Sequence, residues 1–319
     1  MEKKNRKWAV VVAVMALATI GALAQSKTEQ CSLAIVSRVL KSTTPVCDEA
    51  LVRRMAKEGH AYEQNQLGMA SMLVIGPGYS DKEALQWFER AAQRGYAPAQ
   101  VNLAVMYLNG WGTPVDYGKA LNWLHEAANH HFARAYYNLG IVYMDGKGVR
   151  ADNAEALRWF ELGAQAGDEG AETNLGFMYD QGLGRTRDLG AAARWYRKAA
   201  EAGNALAQNN LADMYLRGEG MKQDDAAAFL WFQKAAVQGH TGAEIKLAFL
   251  CANGRGTQKN AGMAYSLLSA ASAAGDRRGV ELMQAVGKTL TTAQIAEAKE
   301  RAEQMRQGEL PQSARNFTP

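Results

Sequence analysis

Apolar and polar positions along this chain alternate with the period of a helix, and the pattern breaks at regular glycines. From Tyr96, the residues Ala99, Leu103, Met106 and Tyr107 fall three to four apart, on one face of a helix. A second amphipathic run places Ala120, Trp123, Ala127 and Ala128 on its inner face. Gly110, Trp111 and Gly112 separate the two runs. Glycine adopts positive φ without steric cost and so ends helices. Asp116 then opens the second run, since an aspartate carboxylate accepts from the free N–H groups of a helix start. The stretch is expected to fold as helix, glycine turn, helix.

The same unit returns every 36 residues. Tryptophan keeps the step at Trp87, Trp123, Trp159, Trp195 and Trp231, and leucine at Leu67, Leu103, Leu139, Leu175, Leu211 and Leu247. The glycine pairs are Gly110/Gly112, Gly146/Gly148, Gly182/Gly184, Gly218/Gly220 and Gly254/Gly256. Thr44, Ser80, Asp116, Asp152, Asp188, Asp224 and Asn260 stand at the expected N-caps. Second helices should end near Gly95, Gly167, Gly203, Gly239 and Gly275, with His131 in glycine's place. A fixed period of this length is the signature of stacked repeats. A lone G-x-G also occurs in phosphate-binding loops, but those follow a strand, and here the pair reads as a turn. No cofactor is expected.

The expected fold class is all-α, a solenoid of 36-residue helix-turn-helix repeats. Cap helices are expected over 25–59 and six repeats over 60–275, the first and last degenerate. A C-terminal cap is expected over 276–307, its helix starting near Thr291 or Thr292, and a disordered tail over 308–319.

Ala135-Tyr-Tyr-Asn138-Leu139-Gly140-Ile-Val-Tyr143-Met-Asp-Gly146-Lys-Gly148, followed by Asp152-Asn-Ala-Glu-Ala156-Leu-Arg-Trp159-Phe160, closely resembles the Sel-one-like repeat, a relative of the tetratricopeptide repeats. The resemblance covers about 60–275. It implies a right-handed α/α superhelix with a concave inner surface, and an adaptor or regulator rather than an enzyme.

Comparing the repeats with one another separates scaffold from surface. Leu103, Tyr107 and their counterparts hardly change and should be packed. The opposite side of the first helix varies: Val101, Val105 and Leu108 become Tyr137, Ile141 and Met144, then Thr173, Phe177 and Asp180, then Asn209, Asp213 and Leu216. Phe249 continues the series. In a solenoid this side lines the groove, which makes Tyr137, Ile141, Phe177, Asp213 and Phe249 candidate partner-binding residues. The alternative is that neighbouring first helices cover them. Asn102, Asn138, Asn174 and Asn210 flank the stripe. In the related tetratricopeptide repeats such an amide can bond an extended peptide; otherwise it ties one repeat to the next.

Catalytic motifs are missing from the sequence. It carries no H-E-x-x-H, G-x-S-x-G, S-x-x-K or C-x-x-C. His60 and His240 share a repeat position, while His125, His130 and His131 do not stack as ligands at i, i+4. No metal site is expected. Cys31 and Cys47 are disulfide candidates in an oxidising compartment. In a regular hairpin they would lie about 9 Å apart along the axis, against a bridging limit of about 7 Å, so pairing requires an irregular cap. Cys251 should be a buried thiol.

The N-terminus follows the three-part pattern of a secretory signal: basic Lys3, Lys4, Arg6 and Lys7, an apolar Trp8–Leu23, and small residues before a cut between Ala24 and Gln25. An uncleaved anchor is the alternative. The formal charge of +4 includes a net +3 from residues 1–24, which leaves +1 for the rest (4 − 3). A near-neutral chain gives no reason to expect nucleic acid as partner. The sequence therefore points to a non-enzymatic periplasmic or secreted scaffold for a protein partner, not integral to the membrane once processed. The second reading is a cell-wall enzyme or modulator, related to peptidoglycan or β-lactams.

Overall fold

The computed structural model describes residues 49–73 and 80–306. The signal segment with its Ala24–Gln25 cut, the Cys31 and Cys47 pair, the Thr44 cap and the tail 308–319 lie outside the described residues. Those residues form fifteen helices and no strand, an all-α repeat solenoid. They are α1 (Glu49–Glu58), α2 (Ala61–Leu73), α3 (Asp81–Gln93), α4 (Ala97–Asn109), α5 (Tyr117–Asn129), α6 (Ala133–Asp145), α7 (Asn153–Gln165) and α8 (Glu169–Gln181), then α9 (Leu189–Glu201), α10 (Ala205–Arg217), α11 (Asp225–Val237), α12 (Thr241–Asn253), α13 (Ala261–Ala273), α14 (Arg277–Gly287) and α15 (Thr292–Arg306). The helices fall into two compact units, one ending at Ala166 and one beginning at Gly167. Within each unit a helix packs mainly on its neighbours in the chain; in the second, α15 also packs on α13.

The helix ends follow from local chemistry. Asp116, Asp152, Asp188, Asp224 and Asn260 each accept from backbone N–H groups of the first turn, at 2.8–3.0 Å. Gly110, Gly146, Gly182, Gly218 and Gly254 close the first helices in the left-handed region, with φ near 68–70°. The second glycine of the pair has a different task. A Cβ on Gly220 would lie 2.3 Å from the Leu189 carbonyl oxygen, so the turn presses on the start of the preceding repeat's second helix. His131 does stand in glycine's place, with φ 56°. Its ring Nδ1 is 3.1 Å from the Tyr136 hydroxyl.

The core departs from the sequence expectation in two respects: the tyrosines equivalent to Tyr107, which is buried, are only partly so at Tyr143, Tyr179 and Tyr215, and the tryptophans stand off centre. Leu67, Leu103, Leu139, Leu175, Leu211 and Leu247 are buried, as the pattern requires. The recurring tryptophans are not the centre of the second helices. Trp87 is buried, but Trp123, Trp159, Trp195 and Trp231 are partly open to solvent. The residue after each one fills the core instead: Phe88, Leu124, Phe160, Tyr196, Phe232 and, in the last repeat, Leu268. Helical geometry explains the shift. Ala120, Leu124 and Ala127 lie within about 60° of one another at 100° per residue, whereas Trp123 stands on the flank. There it packs across elements: the Trp159 indole stacks on Tyr136 at 6.0 Å and meets His125 edge-on at 5.7 Å.

Candidate functional site

In the second unit the variable stripe of the first helices is open at one register, while Thr173 and Asn209 of the same stripe are buried. Phe177 on α8 is 40% exposed and Phe249 on α12 is 50% exposed. Both occupy one register, 72 residues apart. At the same register of α10, Asp213 forms an ion pair with Lys246 of α12. Lys246 Nζ also donates to Asn209 Oδ1 at 3.1 Å and lies 5.5 Å from the Phe232 ring centre. Two exposed aromatic rings thus share a helix register with Asp213, which is fixed by the opposite charge of Lys246. Most charged surface side chains are free to rotate, but Lys246 is held by three partners: Asp213, Asn209 and the Phe232 ring.

In the first unit, Tyr137 and Ile141 are half-buried. The Tyr137 ring lies against Phe160 at 6.1 Å and under the Arg134 guanidinium at 5.2 Å. It is partly a packing residue, unlike Phe177. The asparagines do not act as one ladder. Asn102 Nδ2 donates to Asn65 Oδ1 in the preceding repeat at 2.9 Å. Asn138 and Asn174 donate to their own helix, to the carbonyls of Arg134 and Gly170. Asn210 Oδ1 accepts from Asn209. Lys246, where the series of asparagines stops, is the residue that ties α12 to α10.

Among the described residues no group of three or more His, Cys, Asp or Glu side chains could hold a metal ion. No described helix is long and apolar enough to cross a membrane. The strongly shifted groups lie in both units. Burial pushes the Cys251 thiol up to about 12. Burial, then Glu89, raises the Tyr107 hydroxyl to about 12. His240 is lowered by burial and then by Lys246, and its ring accepts from Ala243 N–H as the N-cap of α12.

One feature of the second unit escaped the sequence reading. A cavity of about 480 Å³ opens between α11, α12, α13 and the end of α15, and Glu244 lines it. Burial raises the Glu244 carboxyl to about 7. The equivalent positions in the sequence are Gln64, Gln100, Tyr136, Glu172 and Gln208.

Comparison with known proteins bears on the whole arrangement. The Sel1 repeat model matches residues 64–96, 97–131, 133–168, 170–204, 205–240 and 241–276. A crystal structure of c5321, a protective antigen of uropathogenic Escherichia coli strains displaying an SLR fold, is 31% identical with a TM-score of 0.66. The match covers 83% of this chain and 56% of that one, so this chain spans little more than half of its length. A Sel1 repeat protein from Oxalobacter formigenes is 29% identical with a TM-score of 0.63, over 68% of this chain and 89% of that one. No curated protein matches the chain. Sel1 repeats generally serve as non-enzymatic scaffolds for protein interaction. With six tandem copies of that repeat, the chain belongs to the Sel1 repeat family.

Proposed function

We propose that this protein is an exported, non-enzymatic scaffold that binds another protein through the first helices of its second unit. The carrying observation is the exposure of Phe177 and Phe249 at one register, with Asp213 at that register between them in chain order and paired with Lys246. Large exposed apolar side chains mark interaction sites when they share one surface. An aromatic ring on a rigid helix loses little conformational freedom on binding, and rings commonly dominate interface energies. The ion pair adds a polar element that sets orientation more than strength. Export rests on the basic, apolar and small-residue order of residues 1–24.

The test uses the protein without residues 1–24 as bait in envelope extract. The captured protein's affinity is then compared for wild type and the double variant Phe177→Ala/Phe249→Ala. A weakening of at least about tenfold is expected, since 1.4 kcal/mol corresponds to one decade. Helical circular dichroism should not change, because both rings lie outside the core. Unchanged affinity would place the site elsewhere. Capture of muropeptides in place of a protein would favour a cell-wall role.

A further inference from the structure

The cavity of the second unit lies where the internal repeat pattern changes. Its volume, about 480 Å³, falls in the range of small-molecule sites. Leu247, Cys251, Leu267 and Met305 give it apolar walls. Glu244 contributes a carboxyl group whose Oε2 is sealed from solvent and has no hydrogen-bond partner.

The other repeats show what Glu244 lacks. At its register, Gln64, Gln100 and Gln208 donate through Nε2 to the carbonyls of Ala56, Ala92 and Ala200, each eight residues earlier. Tyr136 donates its hydroxyl to Ala128 at the same offset. An ionised carboxylate has no proton to give. Glu172 is the other acid at this register, and it has a cation: Lys198 Nζ lies 2.9 Å away. Two repeats on from Lys198 the chain has Ala270. Gln208 has a donor for its amide oxygen, Gln238 Nε2 at 2.9 Å. One repeat on from Gln238 the chain has Ala274. Both alanines line the cavity.

So two sister repeats set an ammonium or an amide donor against this register, and this repeat has methyl groups at the two matching positions, in a cavity whose other polar side chains are Gln233, Gln238 and Thr241. The amide oxygens of Gln64 and Gln100 also lack partners, but they are neutral and their NH₂ groups are bonded. An unpaired carboxylate is far costlier to bury than an unpaired amide oxygen. Burial accordingly raises the Glu244 carboxyl to about 7, so it is poised between the two forms.

We infer that this cavity binds a small apolar amine. Its ammonium would lie on Glu244 as that of Lys198 lies on Glu172, and its hydrocarbon would fill the space left by Ala270 and Ala274. The site is separate from the protein-binding surface. Glu244 and Phe249 are five residues apart on α12, which sets them about 140° apart around the helix.

The experiment titrates the protein at roughly pH 8, above the value of about 7 for Glu244, with n-hexylammonium and 2-phenylethylammonium. Hexan-1-ol serves as the uncharged control, and ligand-observed NMR reads saturation. Both amines should bind saturably, and hexan-1-ol at least tenfold more weakly. Glu244→Gln should weaken the amines at least tenfold with helical circular dichroism intact, because Gln208 shows that an amide suits this register. Ala270→Lys supplies the cation from within the chain, so it should also abolish amine binding. Equal binding of amine and alcohol would overturn the inference, as would unaltered amine binding by Glu244→Gln. So would the failure of both amines to saturate at millimolar concentration.

Discussion

Trp159 and Phe160 are adjacent in the chain and different in the fold. The indole lies on the flank of α7, stacked on Tyr136, with its Nε1 buried and without a partner. The Phe160 ring is wholly inside. Phe160→Ala removes a filled ring from a site that cannot collapse, and should cost about 3–5 kcal/mol. Trp159→Ala removes more atoms but exposes less core, and relieves one unpaired N–H, so it should cost less than Phe160→Ala. Urea unfolding of the two variants checks this; a larger loss for Trp159→Ala would restore the tryptophan to the centre of the packing. The order is not legible in the sequence, because a residue can recur at a fixed flank as regularly as in the core. At Trp87, Trp123, Trp159 and Trp231 the flank position packs against the hydrophobic core from its edge. The core position tolerates Phe, Leu and Tyr because the facing residue adjusts to each. By contrast, the caps at Asp116 and Asp224 and the left-handed Gly110 were fully legible, since each depends on its own backbone and not on a neighbour.

That adjustment sets how the two helices of one repeat fit together. Phe88, Phe160 and Tyr196 stand against glycines on the partner helix. A Cβ on Gly68 or Gly140 would lie 2.5 Å from the phenylalanine ring, and one on Gly176 would lie 2.7 Å from Tyr196. Where the core residue is Leu124 or Leu268, the same register holds Ala104 or Ala248. Ala212 opposite Phe232 breaks the rule, so a helix pair built around both can hold them. Gly140→Ala sits in a pair built for glycine. It gains about 1 kcal/mol of helix propensity and loses about 1–3 kcal/mol to overpacking, for a net loss of about 1 kcal/mol. Adding Phe160→Leu should recover stability, since it recreates the Ala104–Leu124 pair. A double-mutant cycle reads the coupling, expected at about 1 kcal/mol or more in favour of the double variant; simple additivity would sink the steric account. At this scale the candidate sites were half legible. The variable stripe of α8 and α12 followed from helical spacing. The Glu244 cavity did not, because alanine at 270 and 274 has no meaning until set beside Lys198 and Gln238.

Within each unit the described helices pack mainly on their neighbours in sequence, so stability should be a sum of local contributions and not one global quantity. The two units make this testable. Phe88 on α3 and Phe232 on α11 are equivalent, fully buried, and lie in different units. Phe232→Ala should lower the local opening free energy by about 3–5 kcal/mol. Amide exchange in α10 to α13 should then accelerate by about two to four powers of ten, since 1.4 kcal/mol is a factor of ten. Exchange in α2 to α4 should stay within about threefold of wild type, because none of those helices touches the altered core. Phe88→Ala should give the mirror image, with α2 to α5 loosened and α11 to α13 unchanged. Hydrogen exchange read by mass spectrometry resolves helices of this length. If either substitution raised exchange equally across α2 to α13, the chain would unfold as one cooperative body and the nearest-neighbour account would fail. If the effect stays local, a binding surface on α8 to α12 can be altered, or its ligand changed, without unsettling the repeats of the first unit.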